Sequence, residues 1–464
     1  MKENLPVIFL LISLLAGTAA GSTVESFELS PEPAGNEIGD IIFDGEGVWV
    51  TSDNGISYSL ELGASWENFL PGISSSGLSG YRGFVVFAAS HEELYEEELY
   101  PAGDGFFITT DAGLNWTNYT PEQAVGIGKL AYDIGLEKDS TIWAACFYGG
   151  LVKSEDKGES WVNVFVDTAD TEINYNDLTH RFFATTIDTS TEPNTIWAGT
   201  AAGIFKSTDG GWEWLGWNHA SSGISGNFIV ALAIQYLPDS SKVVWASTRQ
   251  ALSADEWDCV SYTTDEGENW HTFDYNMTVW NFSFRDSMVY AATTGGLCIS
   301  SDFGVSWDTL EIVDCGTGES PIDPEVVSVL YQDGKLFAGT SDGLAIKDID
   351  APCWDILLVS PSTLPLNAPK TYFFPNPFSQ EKHSRGYFVF SSTEPDNATI
   401  TVFNFAMEEV GKPIVDYPVP AGEDVRIPWD GTDADGEMLA NGIYSYRVEF
   451  SSGRSLWGKL AILR

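Results

Sequence analysis

Basic side chains are scarce in this sequence: 22 Lys and Arg stand against 67 Asp and Glu among 464 residues, a formal charge of -45. A surface of that sign repels phosphate backbones, which excludes nucleic acid and anionic membranes as partners and favours cations or neutral molecules. Charged residues make up only 19% of the chain while aromatics reach 13%, so the acidity reflects missing cations on a packed protein and not a disordered acidic tail. Cysteine is equally sparse. Cys146, Cys259, Cys298, Cys315 and Cys353 are an odd number at no metal-ligand spacing, which argues against a disulfide framework and against zinc. One bridge, Cys298 with Cys315 or Cys315 with Cys353, is open to the chain after export. The five histidines are scattered, and no Ser/His/Asp signature or phosphate-cradling glycine loop stands out, so no catalytic residue, metal ligand set or cofactor is assigned.

Long apolar runs are absent except at the start. Met1 and Lys2 lead into LPVIFLLISLLAG and then the small residues Thr18, Ala19, Ala20 and Gly21, the layout of a secretory signal peptide cleaved near Ala20. That core is short for a bilayer span and no later run reaches 18 residues, so the expectation is an exported protein with no transmembrane segment after cleavage. Residues 1–21 are read as the signal and 22–37 as an N-terminal extension.

What the sequence has in abundance is a repeat, SxDxGxxW, spaced by about 37 to 56 residues. It occurs as TTDAGLNW (Asp111, Trp116), SEDKGESW (Asp156, Trp161), STDGGWEW (Asp209, Trp214), TTDEGENW (Asp265, Trp270) and SSDFGVSW (Asp302, Trp307). Two flanking copies are degraded: SLELGASW keeps Ser59, Gly63 and Trp66 with Glu61 for Asp, and KDIDAPCW keeps Trp354 alone. The Asp bonds backbone N–H groups of its own turn, Gly supplies a positive φ, and Trp buries a large ring. Ahead of each copy runs a buried-strand column centred on Trp49, Phe87, Trp143, Trp197, Trp245, Tyr290 and Phe337, with another alternating run upstream. Each unit therefore supplies four short antiparallel strands, the content of a propeller blade.

The five intact copies resemble the Asp-box (BNR) repeats of sialidase-like, xyloglucanase-like, sortilin-like and photosystem-assembly-factor propellers. The resemblance implies an all-β fold, a seven-bladed β-propeller over residues 38–359. It implies a structural and not a catalytic role for Asp111, Asp156, Asp209, Asp265 and Asp302, because hydrolases, receptors and assembly factors share the turn. Sialidase activity is disfavoured: the F/Y-R-I-P motif of that family is missing, and an acidic face repels an anionic sugar. Xyloglucanase-like enzymes use two propellers, and this chain has room for one.

A Pro-rich stretch at 360–372 marks a domain boundary. The remaining segment, 373–464, reads as a small Ig-like β-sandwich. Its motifs YFFPNPF (Tyr372 to Phe378), TITVFNFAMEEV, IPWDGTDADGEMLANGIYSYRV and GKLAILR resemble the Ig-like domain of the flagellar hook-capping protein and the C-terminal sorting domains of type IX secretion. That resemblance implies a secretion or surface-attachment module, with the secretion machinery as partner. Asp430, Asp433, Asp435 and Glu437 offer clustered oxygens of the kind calcium takes, and a hairpin turn after a buried Trp429 accounts for them as well.

Ligand-binding candidates lie on the face opposite the repeated turns, where the insertions fall. The blade 2 insertion carries Glu96, Tyr100 and Asp104, the link after blade 3 carries Asp177, and the blade 5 insertion carries Arg249, Trp257 and Asp258. Carboxylates beside aromatic rings suit a sugar, since rings stack on pyranose faces and paired acids act as acid and base. Solvated loop tips, a binding surface and an active site are all compatible with this composition. The sequence thus reads as an exported or surface propeller acting as a binding or scaffold module for a polysaccharide or surface protein; the alternative is a glycoside hydrolase acting on a neutral polysaccharide through these loop carboxylates.

Overall fold

The computed structural model describes residues 30–463, apart from 120–129, 359–370, 380–385 and scattered stretches of one or two residues such as 96–97 and 434–435. The signal-like segment, Glu96, Asp435 and most of the Pro-rich stretch lie outside the described residues.

Seven four-stranded antiparallel sheets follow one another along the chain, each built from consecutive strands in the order inner to outer. The inner strands are Ile38–Phe43, Ser74–Tyr81, Ala131–Leu136, Phe182–Asp188, Phe228–Tyr236, Val279–Arg285 and Val326–Gln332. They define blades 1 to 7 of a β-propeller. The aromatic column from Trp49 to Phe337 occupies the second strand of each blade, and all seven side chains are buried. An indole there needs an acceptor when it is buried, and Trp49, Trp143 and Trp245 donate to Asp44, Glu137 and Gln235 at 3.1, 2.8 and 3.0 Å.

Each intact repeat is the turn between the third and fourth strands. In blade 2, Thr109 donates its hydroxyl to Asp111 Oδ1 at 2.8 Å and accepts the N–H of Gly113 at 3.0 Å, while Asn115 gives Asp111 its backbone and side-chain N–H groups at 2.8 and 2.7 Å. The same bonding recurs around Asp156, Asp265 and Asp302, and Asp209 takes the backbone N–H groups of Trp212 and Glu213. The glycine is required twice over. Its φ is positive, and a Cβ at Gly113 or Gly267 would drive into Phe69 or Trp217 of the preceding blade at 2.8 or 2.5 Å. The turn is thus a clamp between blades.

No strand is exchanged where the ring closes, since blades 1 and 7 are each made from one continuous segment. Closure rests on an apolar seam of Ile38, Ile41 and Trp66 against Phe337, Leu344 and Ile346, with Gly343 N–H donating to Asn36 O at 2.8 Å. Cys315, in the link entering blade 7, is bridged to Cys353, so of the two pairings open to the sequence the second forms. Cys298 stays unbridged.

The C-terminal segment forms a three-stranded and a five-stranded sheet, the latter ordered Phe378–Ser379, Ser455–Leu463, Gly442–Phe450, Asp396–Phe403, Glu409–Val419. Phe388, Phe390, Ile400, Trp429 and Tyr446 fill the core between them. Asp430 accepts from Thr432, and Asp433 accepts the N–H of Glu437 at 2.9 Å, so these carboxylates serve the turn after Trp429. Among the described residues no helix is long and apolar enough to cross a membrane.

Candidate functional site

The inner strands share an irregularity that builds the site. In every blade the register with the second strand slips by one residue, at Ile38/Ile41, Ser75/Gly77, Ala131/Asp133, Phe182/Ala184, Ile229/Ala231, Val279/Asn281 and Val326/Ser328. A bulge re-aims the residue it carries. All seven such residues, Gly39, Ser76, Tyr132, Phe183, Val230, Trp280 and Val327, line one central cavity of about 640 Å³, within the size range of ligand pockets.

The inner strands begin at the face that carries the insertions, so the bulges ring the channel mouth there. On blades 3 to 5 the rings are continuous: Tyr132 and Phe147 lie 5.4 and 5.5 Å from Phe183, and Phe183 lies 4.4 Å from Phe228. Blade 6 adds Trp280, whose Nε1 donates to Glu325 at 2.8 Å. Two cations lie over this wall, Arg181 5.8 Å above Phe147 and Arg249 5.5 Å above Trp280. Arg181 also donates Nε to the Tyr175 carbonyl at 2.9 Å.

Below the rim two carboxyls face the cavity. Burial pushes Asp40 up to about 6, against the pull of the Ile41 and Leu78 N–H groups. Burial pushes Asp133 up to about 7, with the Asp40 charge adding to it and the N–H groups of Thr185 and Ile134 opposing. Asp133 accepts Ile134 N–H on one oxygen and Thr185 N–H on the other, both at 2.8 Å. Because Thr185 and Leu78 belong to the next blade, both carboxyls tie neighbouring inner strands together.

The loop residues singled out from sequence are placed differently. The blade 2 insertion is no loop but an extension of the hairpin Phe84–Tyr95 with Glu98–Thr109, in which Tyr100 pairs with Glu93 and the backbone ladder continues to Tyr95 opposite Glu98. Asp104 bonds His91 Nδ1 at 2.9 Å. Asp177 caps the short turn Leu178–His180, and its bonds from the Thr179 hydroxyl and N–H hold it below the usual carboxylate range. Asp258 is committed to Gln250 N–H at 2.5 Å and the Thr278 hydroxyl at 2.7 Å. Trp257 stands edge-on to His219 at 5.9 Å. Among the described side chains of this set, Arg249 is the one that reaches the aromatic wall.

Asp170, Asp177 and His180 bring oxygen and nitrogen atoms within 4.8 Å of one another. His180 Nδ1 accepts the Asn174 N–H at 2.9 Å, which leaves Nε2 to carry the proton and donate to Asp170 at 3.0 Å. Both ring nitrogens are thereby spent on shaping the link.

Comparison with known proteins bears on the fold. The model of the FlgD Ig-like domain matches residues 378–454. A GH74 enzyme of Niastella koreensis is similar at 14% identity and a TM-score of 0.54, over 92% of this chain and 66% of that one. PorZ, a surface component of the type-IX secretion system of Porphyromonas gingivalis, is similar at 15% identity and 0.41 over the same shares. YCF48 from Cyanidioschyzon merolae is similar at 15% and 0.47, over 69% of this chain and 98% of that one. No curated protein matches in sequence. The chain therefore spans just under two thirds of the first two proteins. The class is a seven-bladed β-propeller joined to an Ig-like domain of the FlgD type.

Proposed function

We propose that this protein is an exported, surface-held Asp-box propeller that binds a neutral polysaccharide at the channel mouth without cleaving it, delivered by its C-terminal Ig-like domain as a type IX sorting or attachment module. The observation that carries the reading is the aromatic wall of Tyr132, Phe183 and Trp280 at the mouth, where ring faces stack on sugars. The carboxylates nearby are committed: Asp177 to its own turn, Asp258 to Gln250 N–H and the Thr278 hydroxyl of the following link, Asp40 and Asp133 to backbone N–H groups of two strands. The signal-like N-terminus and the Cys315–Cys353 bridge support an oxidising, extracytoplasmic setting.

One observation favours hydrolysis instead. Asp40 and Asp133 share one cavity and both carry raised pKa values, the condition under which a carboxylic acid serves as a general acid near neutrality. The test is release of reducing ends from neutral plant and microbial polysaccharides by the mature chain, beside binding of the same polymers. Binding without release is the expected result. Release that disappears in Asp133→Asn makes the protein a glycosidase.

A further inference from the structure

We propose that the ligand enters the channel end-on, as the terminus of an unbranched neutral glycan, and does not lie across the mouth as an internal segment; this rests on the glycan-binding reading above. The bulge positions carry the argument. They are one structural position repeated seven times, yet their occupants differ around the ring: Tyr132, Phe183 and Trp280, with Val230 between the last two, make a tall side, while blades 7, 1 and 2 present the smaller Val327, Gly39 and Ser76. The ring is therefore open on one side only.

That open side is polar. Thr51, Ser75, Ser76 and Ser79 of blades 1 and 2 line it, hydroxyl side chains of the kind that donate to and accept from a sugar. A sugar terminus supplies what both sides lack, a ring face for the wall and hydroxyls for the serine side. The cavity also has depth. Its lining runs along the blade 5 inner strand from Val230 to Tyr236, six steps of about 3.3 Å or roughly 20 Å. A volume of about 640 Å³ spread over that length is a bore for one chain. Seven closed blades surround it, so such a bore is entered from an end. The charge of -45 favours an uncharged sugar.

The experiment titrates the full mature chain with neutral cello-, manno- and xylo-oligosaccharides and with their parent polymers. It uses wild type, Ser76→Trp, Val327→Trp and Phe183→Ala, each first checked for a native melt. Tryptophan already occupies the equivalent position on blade 6, so the fold accommodates it, and two independent plugs guard against one that misfolds. For an end-on site, stoichiometry follows the number of chain ends and not polymer mass, and either plug weakens binding by about tenfold or more, the equivalent of about 1.4 kcal/mol. Stoichiometry that follows mass, with both plugs binding as wild type while Phe183→Ala weakens, overturns end-on entry and leaves the mouth as a binding face. No binding by wild type, or binding unaffected by all three substitutions, overturns the glycan reading itself and the inference with it.

Discussion

The repeated turns of blades 2 to 6 and those of blades 1 and 7 hold a tryptophan in the same place by different means. In the middle blades an Asp gathers donors from its own turn, so the clamp is local. In blade 1 Ser59 still accepts Gly63 N–H at 2.8 Å, but Glu61 is one methylene longer and meets the Ser65 hydroxyl only at 3.4 Å. Trp66 is held instead by a two-way backbone bridge to Ser30, both bonds at 2.8 Å. In blade 7 the Asp and Gly are gone; Trp354 donates its N–H to Val313 O at 2.8 Å and Nε1 to Glu311 O at 3.0 Å, beside the Cys315–Cys353 bridge. Terminal repeats lack a sequential neighbour on one side. There, contacts from outside the blade replace specification inside the turn.

The sharpest way to break this comparison is at the seam. Trp66 is fully buried between blades 1 and 7, whereas Trp116 in blade 2 is partly exposed. Trp66→Ala is expected to cost about 3–5 kcal/mol, and Trp116→Ala clearly less, by denaturant midpoint. Equal costs would mean the seam is no more demanding than an ordinary blade interface.

Next in size is the tether of blade 7. The bridge spans a sequence separation of 38, for which loop entropy predicts a loss on the order of 3–4 kcal/mol in Cys353→Ser. Reductant should bring wild type to the variant's melting temperature and leave the variant unmoved. A wild type indifferent to reductant would assign the tethering to the Trp354 backbone bonds alone.

The same residue type also answers pH in opposite directions in two places. Bonds from Asn115, Ser160, the Glu213 N–H, Asn269 and Ser306 hold the turn aspartates Asp111, Asp156, Asp209, Asp265 and Asp302 below the usual range. Their contribution is present above the unfolded value near 4 and is lost as pH falls through their lowered values. Asp40 and Asp133 are raised to about 6 and about 7, so their contribution is full below about 4 and is lost as pH rises through those values. Asp133→Asn should flatten the decline in stability from about pH 4 to 7, read as the slope of melting temperature against pH. A slope equal to wild type would place the titration elsewhere.

The architecture was legible because its signals are local. SxDxGxxW places Asp, Gly and Trp within eight residues, and the column from Trp49 to Phe337 repeats one buried position. The site was not legible in the same way, because a bulge is a relation between two strands and its residue is re-aimed by register, not by composition. Reading acidic, aromatic loops therefore led to Asp177, which the structure spends on its own turn, and to Asp258, which it spends on tying its insertion to the link into blade 6. A signal was available in the paired apolar residues opening the inner strands, Phe182–Phe183, Ile229–Val230, Val279–Trp280 and Val326–Val327. In each pair the first is buried and the second reaches the cavity, where simple alternation would put a polar residue. Nor did composition choose between Cys298 and Cys353 as the partner of Cys315, since pairing depends on where the blade 6 to 7 link returns.

The smallest effect sharpens the comparison most, because it asks whether the blade 1 turn is a failed copy or a fitted one. Shortening the side chain in Glu61→Asp restores the acceptor that the other turns use, with Ser59 and Ser65 already in the donor positions. If blade 1 merely lost its consensus, the variant gains on the order of 1 kcal/mol or less, the net worth of one recovered hydrogen bond, and the gain persists when the Ser30 bridge is removed by deleting residues 22–31. If Glu61 is fitted to the seam, the tighter turn pulls Gly63 away from Ile346, the blade 7 side chain its Cβ position faces, and the variant melts below wild type. A loss that vanishes together with the Ser30 bridge would show that tether and turn had been adjusted to each other.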